Sequence, residues 1–269
     1  MMIRQPISTP ARIALGILSI AMLIGGYCWL AQRQYQINPT NTAMPRWSQF
    51  QAGWSIMTGQ ENGQGFAESW LWEDSKATFG RLAIGVTLGV ALSLIVGMAM
   101  GCFPAAEAFF SPPLSLFARI PPTAMLVIYL LLFGFEQKMF IAMISLGIFP
   151  TLAQSIYQAA KKDVSEHAVF KAYTLGASPL EVILSVIFQQ VLPRIIESIR
   201  LHIGPAMVFL IAAEWVVADV GFGYRLRILS RMTRMNIAYT YLLILGFSGF
   251  AIDWSLSLLR RRLSPWFGE

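Results

Sequence analysis

The strongest constraint on this chain is the length of its uncharged runs. From Leu82 to Ala106, 25 residues pass without a formal charge; Met139 to Ala160 gives 22 more, and Met235 to Ile252 another 18. A hydrocarbon core of ~30 Å is crossed by ~20 helical residues, and within it only helices and closed barrels satisfy their own backbone polar groups. Charged residues make up 13% of the 269, about half of the roughly 25% usual for a soluble domain. The sequence therefore predicts an all-α, polytopic transmembrane helical bundle of about six spans. They fall near 11–31, 79–102, 115–135, 139–158, 197–218 and 237–259.

Two cysteines and two histidines supply neither a disulfide framework nor a metal or haem site. The net charge of +6 suits an anionic membrane surface and lipid rather than nucleic acid. The run Ile13–Ala31 has 19 residues, longer than the ~7–15 of a signal h-region. It ends in Tyr27-Cys28-Trp29-Leu30, so residues 1–32 read as a retained membrane anchor. Residues 33–76 read as an external loop. Within it Trp47, Phe50, Trp54 and Met57 recur at helical spacing, which predicts a short interfacial helix, and Trp70 and Trp72 a second interfacial anchor. The core is expected over 77–265. An even number of spans, with Arg4 and Arg12 at one end and Arg260-Arg261-Arg262 at the other, places both termini in the cytoplasm.

Several residues suggest a pathway rather than a static anchor. Gly85, Gly89, Ser93, Gly97 and Gly101 put a small residue at every fourth position, a stripe that lets a neighbouring helix approach closely, and slide. Pro112-Pro113, Pro121-Pro122, Pro150 and Gly204-Pro205 each remove a helical donor and kink or break the helix. Glu214, near the outer end of the fifth span, is either a pathway residue or one half of a buried pair. Asp253 is expected to pair with Arg260, two turns on. His202 reads as an ordinary satisfied histidine. Outside, Arg227, Arg231 and Arg234, with Arg225 nearby, defy the positive-inside rule. On one helical face, the first three would anchor lipid phosphates, pair with Asp219, or form an electropositive vestibule for an anion or an acidic binding protein.

The most informative stretch is the polar loop 159–196. It reads Ala172-Tyr173-Thr174-Leu175-Gly176-Ala177-Ser178-Pro179-Leu180-Glu181. Gly176 suits a left-handed helix stop. Ser178, Pro179 and Glu181 suit the N-cap, N1 and N3 of a capping box. Leu180, Ile183, Leu184, Ile187 and Val191 then form one apolar face, on a helix expected to end near Pro193. The loop is a folded helix–turn–helix, not a connector.

With these residues in place, about 70–265 resembles the permease subunits of bacterial ABC importers, the nitrate/sulfonate/taurine-type group of binding-protein-dependent transporters. The family motif of Glu-Ala-Ala, three residues and Gly is matched by Phe170-Lys171-Ala172, then Gly176-Ala177-Ser178, with Pro193 as a later proline. Arg119-Ile120-Pro121-Pro122 with Phe133-Gly134 looks like the family's third-span signature. Ala213-Glu214 with Gly221-Phe222-Gly223-Tyr224 looks like its fifth-span exit. Phe170, Lys171 and Gln189 depart from the pattern, which implies a matched ATPase partner.

The resemblance implies a type I importer fold in the bacterial inner membrane. The 166–193 loop would be the coupling helix, contacting a separate ATP-binding subunit through Phe170, Lys171, Ala172, Gly176, Ala177, Ser178 and Pro179. Gly85, Gly89, Ser93, Gly97, Pro121, Pro122 and Glu214 would be the pathway or gating candidates. A second permease copy, as a homodimer, and an external solute-binding protein would complete the importer, and the solute would be a small anion such as nitrate, sulfonate or taurine. The chain has no Gly-x-x-x-x-Gly-Lys-Ser/Thr loop and no Gly-Lys pair. ATP and Mg are therefore expected on the partner, with no cofactor bound by this chain and no catalysis of its own. An ion-coupled secondary transporter is the alternative, but no second copy of the 166–193 motif signals an internal repeat. A membrane haem enzyme is disfavoured by the two histidines.

Overall fold

The computed structural model describes residues 8–38, 43–60 and 68–266. Among these, no strand occurs. The helices are α1 Thr9–Ile37, α2 Trp47–Met57, α3 Trp70–Cys102, α4 Pro104–Phe117, α5 Leu126–Phe133, α6 Gln137–Lys162, α7 Glu166–Thr174, α8 Pro179–Val217, α9 Phe222–Arg231 and α10 Met235–Leu263. Five of them, α1, α3, α6, α8 and α10, are long and apolar enough to cross a bilayer.

The third expected span is not one helix. It divides between α4 and α5, and the eight residues of α5 rise only ~12 Å. The cause is local. Pro121 and Pro122 have no N–H, and the chain between the helices closes in i→i−3 turns, with Arg119 N–H on Leu116 O, Ile120 N–H on Phe117 O and Ala124 N–H on Pro121 O. Together the pieces still run the length of α6. Leu114 of α4 packs with Ala153, and Leu126 and Tyr129 of α5 pack with the cluster around Met139, Met143 and Ile144.

Prolines inside other helices do not stop them. α6 continues through Pro150 and α8 through Pro193 and Pro205. The expected helix end near Pro193 is thus corrected. Val191, Pro193 and Ile195 are buried, and Val191 and Ile195 pack on Leu152, Ile156 and Ala159 of α6, a burial that outweighs one missing hydrogen bond. α8 also contains a π-helical stretch, Val182–Ile187, where Phe188 N–H reaches Ile183 O.

By its contacts the chain forms two compact units, residues 1–70 with 228–241, and 71–227 with 242–269. In the first, the Tyr27 hydroxyl donates to Pro45 O at 2.8 Å, and its ring lies against Phe50 and Tyr239. The short helix expected around Trp47 is α2, with Trp47 and Trp54 exposed. In the second, α6 is the central element. It is 61% buried over its apolar window, as expected of a helix apolar on all sides. The small-residue stripe of α3 lies directly on it. A Cβ at Gly85 would meet Ile144 at 2.7 Å, one at Gly89 would meet Ile148 at 2.7 Å, and one at Gly97 the Ala153 carbonyl at 2.7 Å. Ser93 Oγ, in the same stripe, lies 3.2 Å from Phe149 O. The stripe permits this approach because it offers almost no side-chain volume.

Candidate functional site

The second unit carries a distinct structure at each end of α6. At its C-terminal end lies the hairpin of α7 and the start of α8. Gly176 has φ +86, a conformation that strains any residue with a Cβ. Ala177 N–H bonds Ala172 O and Gly176 N–H bonds Tyr173 O, the paired bonds of a Schellman stop. Ser178 then caps α8. Its N–H donates to Glu181 Oε2 at 2.8 Å, and its hydroxyl accepts the Glu181 N–H. The Ser178 N–H and hydroxyl, both donating to Glu181 Oε2, hold its carboxyl below the usual carboxylate range. The hairpin is therefore fixed by its own sequence.

One side of this hairpin is packed, through Val169, Ala172, Ala177, Val182 and Ile187, in a cluster with Ile156, Ala159 and Ala160 of α6. The other side is open. Phe170, Tyr173, Leu175, Leu180 and Leu184 are all exposed, Leu175 at 80%. The expected single apolar face from Leu180 to Val191 is corrected here. The π-helical stretch breaks the 3.6-residue period, leaving Leu180 and Leu184 outside while Ile187 and Val191 turn inward. Of the predicted contact residues, Phe170, Lys171, Gly176, Ser178 and Pro179 are exposed, and Ala172 and Ala177 are half-buried.

At the opposite end lies a buried ionic lattice. Glu214 is fully buried, and Arg81 is 5% exposed. Arg81 Nη1 donates to Glu214 Oε1 at 2.8 Å and to Val220 O at 2.9 Å, and Nε donates to Gln137 Oε1 at 2.7 Å. The Thr78 hydroxyl lies 2.9 Å from both Glu214 oxygens and accepts the Phe222 N–H. Gly223 N–H donates to Glu214 Oε2 at 3.0 Å. Asp74, also buried, accepts Gly221 N–H at 2.9 Å and Arg225 Nε at 2.7 Å. Two acids and two guanidiniums thus satisfy one another and tie α3, α6, α8 and α9 together. The loop glycines are sterically required. Gly221 has φ +124 and a Cβ there would lie 2.6 Å from the Glu214 carboxylate, while a Cβ on Gly223 would collide with Ile211 O.

Comparison with known proteins decides what this arrangement belongs to. Residues 79–265 match the family described as the inner membrane component of binding-protein-dependent transport systems. The chain belongs to that family. The taurine transport system permease protein of Escherichia coli K12 is 27% identical, over 99% of this chain and 94% of that protein. A putative aliphatic sulfonates transport permease protein of Bacillus subtilis is 29% identical, over 69% of this chain and 67% of its own length. In fold, the chain resembles a chain of the MetNI methionine ABC transporter in an inward-facing conformation, with TM-score 0.64 at 16% identity, over 72% of this chain and 97% of that one. It is a permease subunit of a binding-protein-dependent ABC importer, a multi-pass inner-membrane protein with a type I importer fold.

The remaining predicted residues of the permease fall in unequal settings. Pro121 and Pro122 form the break between α4 and α5. Arg227 donates to Val216 O at 2.7 Å and Ala218 O at 2.9 Å, closing the C-terminus of α8. The single helical face expected for Arg227, Arg231 and Arg234 is corrected. α9 ends at Arg231, and Thr233 at φ 55 turns the chain before Arg234. Asp253 pairs with Arg200, at 2.9 and 2.8 Å, and not with Arg260, which bonds Glu197 instead. His202 is satisfied, with Nδ1 at 2.7 Å from Ser198 O and Nε2 at 3.0 Å from Thr151 Oγ1.

The residues that the sequence reading missed are Asp74, Thr78 and Arg81. Their spacing of four and three puts them on one face of α3, a polar stripe entering an uncharged run. That signal was present in the sequence; what it lacked was a partner, since Glu214 is 133 positions away.

Proposed function

We propose that this permease is one of two identical membrane subunits of an ATP-driven importer for a small sulfonate-type anion. It couples to a separate ATP-binding subunit through the hairpin of α7 and the start of α8. That hairpin faces the cytoplasm, as do both termini; the Asp74–Glu214 end faces outward, toward a solute-binding protein. ATP and Mg sit on the partner, and this chain binds no cofactor itself.

The observation that carries this reading is the exposed row Phe170, Tyr173, Leu175, Leu180 and Leu184 on a hairpin whose turn is capped on both sides by its own residues. A rigid, locally determined element with an unburied apolar side is suited to enter a groove on another protein. The solute class rests on the names of the relatives, taurine and aliphatic sulfonates.

The test is Phe170→Asp with Leu175→Asp. Exposed substitutions change stability by only ~0.5 kcal/mol, so the permease should insert and purify normally. It should no longer co-purify with its ATP-binding subunit, and substrate-stimulated ATP hydrolysis should vanish. Retention of a stoichiometric, stimulated complex in the double variant would refute the assignment of the hairpin.

A further inference from the structure

Midway along α6, beside the break between α4 and α5, lies a cavity of ≈ 400 Å³, within the roughly 300–1,000 Å³ range of small-molecule sites. Its lining is apolar except for Arg119, Thr151 and His202, and it contains no Asp or Glu. Among the described residues the Arg119 side chain has no ion pair or hydrogen bond. Arg119 is exposed and lines a cavity whose other walls include Gly147, Ile148 and Thr151 in the middle of α6; an ionisable group facing a water-accessible cavity among spanning helices marks a substrate or ion route. Every other arginine that lies on the core helices α3 and α8 is paired: Arg81 with Glu214, Arg194 with Asp163, Arg200 with Asp253.

A second cavity of ≈ 300 Å³ shares Leu201 with it and lies toward the hairpin end, with Ser155, Ser198, Lys162, Asp163, Arg194 and Glu197 in its lining. The otherwise apolar seam between α6 and α8 carries two polar contacts here, Thr151 beside His202 and Ser155 Oγ at 2.7 Å from Ser198 Oγ. Pro205 has no N–H to give the Leu201 carbonyl, and a carbonyl so deprived needs protein or water. His202 Nδ1 faces the Ser198 carbonyl, which can only accept, so that nitrogen carries a proton.

We infer that this cavity is a station on the transport route, where Arg119 holds the sulfonate group of the passing solute and the apolar lining accommodates its alkyl part. A guanidinium matches the oxygens of a tetrahedral anion with several parallel donors. The inference rests on the importer reading above and specifies which residue meets the anion.

The test uses the complete importer in proteoliposomes, with its ATP-binding subunit and its binding protein loaded with taurine or ethanesulfonate. Uptake and ATP hydrolysis are measured together. Arg119→Gln should cut uptake of both solutes roughly tenfold or more, the scale of a lost charge-assisted bond. Binding-protein-stimulated ATP hydrolysis should persist, so ATP consumed per solute rises by a similar factor, and Arg119→Lys should recover much of the uptake. Unchanged uptake in Arg119→Gln overturns the inference. So does a parallel loss of uptake and hydrolysis that Arg119→Lys does not relieve, because that is a structural role. Failure of the importer reading appears elsewhere, as wild-type proteoliposomes that show no ATP-dependent sulfonate uptake at all.

Discussion

The two ends of α6 solve opposite problems with similar residue types. The hairpin end spends its polar groups locally. Ser178, Glu181 and Gly176 cap helices within ten residues of one another, and the apolar side chains Leu175 and Leu180 are left outside. The Glu214 end spends its polar groups over long range. Asp74, Thr78 and Arg81 meet partners on α6, α8 and α9, and nothing charged in that lattice is left open. A docking element has to be rigid before its partner arrives, so its order is local. A closed end has to hold separate helices together, so its order is tertiary.

If that contrast is right, the largest effect should come from Glu214→Ala. Removing one partner leaves the buried Arg81 without its counter-charge, and breaking a buried pair costs ~3–5 kcal/mol. Purified permease should unfold at markedly lower temperature or fail to accumulate. Gly221→Ala should act in the same direction, since its Cβ would press on the Glu214 carboxylate. Wild-type thermal stability in Glu214→Ala would mean that the lattice is not a closure.

Next in size is Gly89→Leu. Its side chain would collide with Ile148, and overpacking costs about 1–3 kcal/mol. Gly25→Leu is the matched control, since nothing lies within 4 Å of a Cβ there. Loss of folded permease in the first variant and not the second is the expected pattern. Equal behaviour of the two would remove α3–α6 packing as the role of the stripe.

The hairpin should respond differently. Gly176→Leu forces a left-handed residue with a Cβ, at about 1–2 kcal/mol, and should leave insertion intact. Its signature is functional: ATP hydrolysis by the assembled complex becomes independent of loaded binding protein. A variant that instead unfolds the bundle would show that the hairpin is not locally ordered.

The same contrast explains how much could be read from the sequence. The hairpin was legible because Gly176, Ser178, Pro179 and Glu181 act on their own neighbours. The crossing helices were legible from charge-free length. The pairing of Glu214 was not, because no local pattern connects it to Arg81, and Asp253 was assigned the nearer arginine for the same reason. The break at Pro121-Pro122 was legible from its prolines, whereas two further misreadings, the single apolar face across the π-helical stretch at Val182–Ile187 and the helix end at Pro193, concern backbone behaviour that periodicity does not encode. At Pro193 the burial of Val191 and Ile195 against α6 keeps the helix going.

The smallest effect separates the arginines beyond the lattice. Arg227 closes the end of α8 through two carbonyls, so Arg227→Gln should lower thermal stability by an amount typical of a lost cap, ~1 kcal/mol. Arg231 and Arg234 are exposed, and their field is screened over ~8 Å at physiological salt. The double variant Arg231→Gln, Arg234→Gln should keep its stability and its basal ATP hydrolysis. If the two guanidiniums draw in an acidic binding protein, neutralising them should slow its association severalfold at low salt and hardly at all at high salt, the pattern of electrostatic steering. Unchanged association at low salt would reduce both to lipid anchors. A stability loss as large as that of Arg227→Gln would instead place them in the closed end, and the division between closure and docking would have to be redrawn around them.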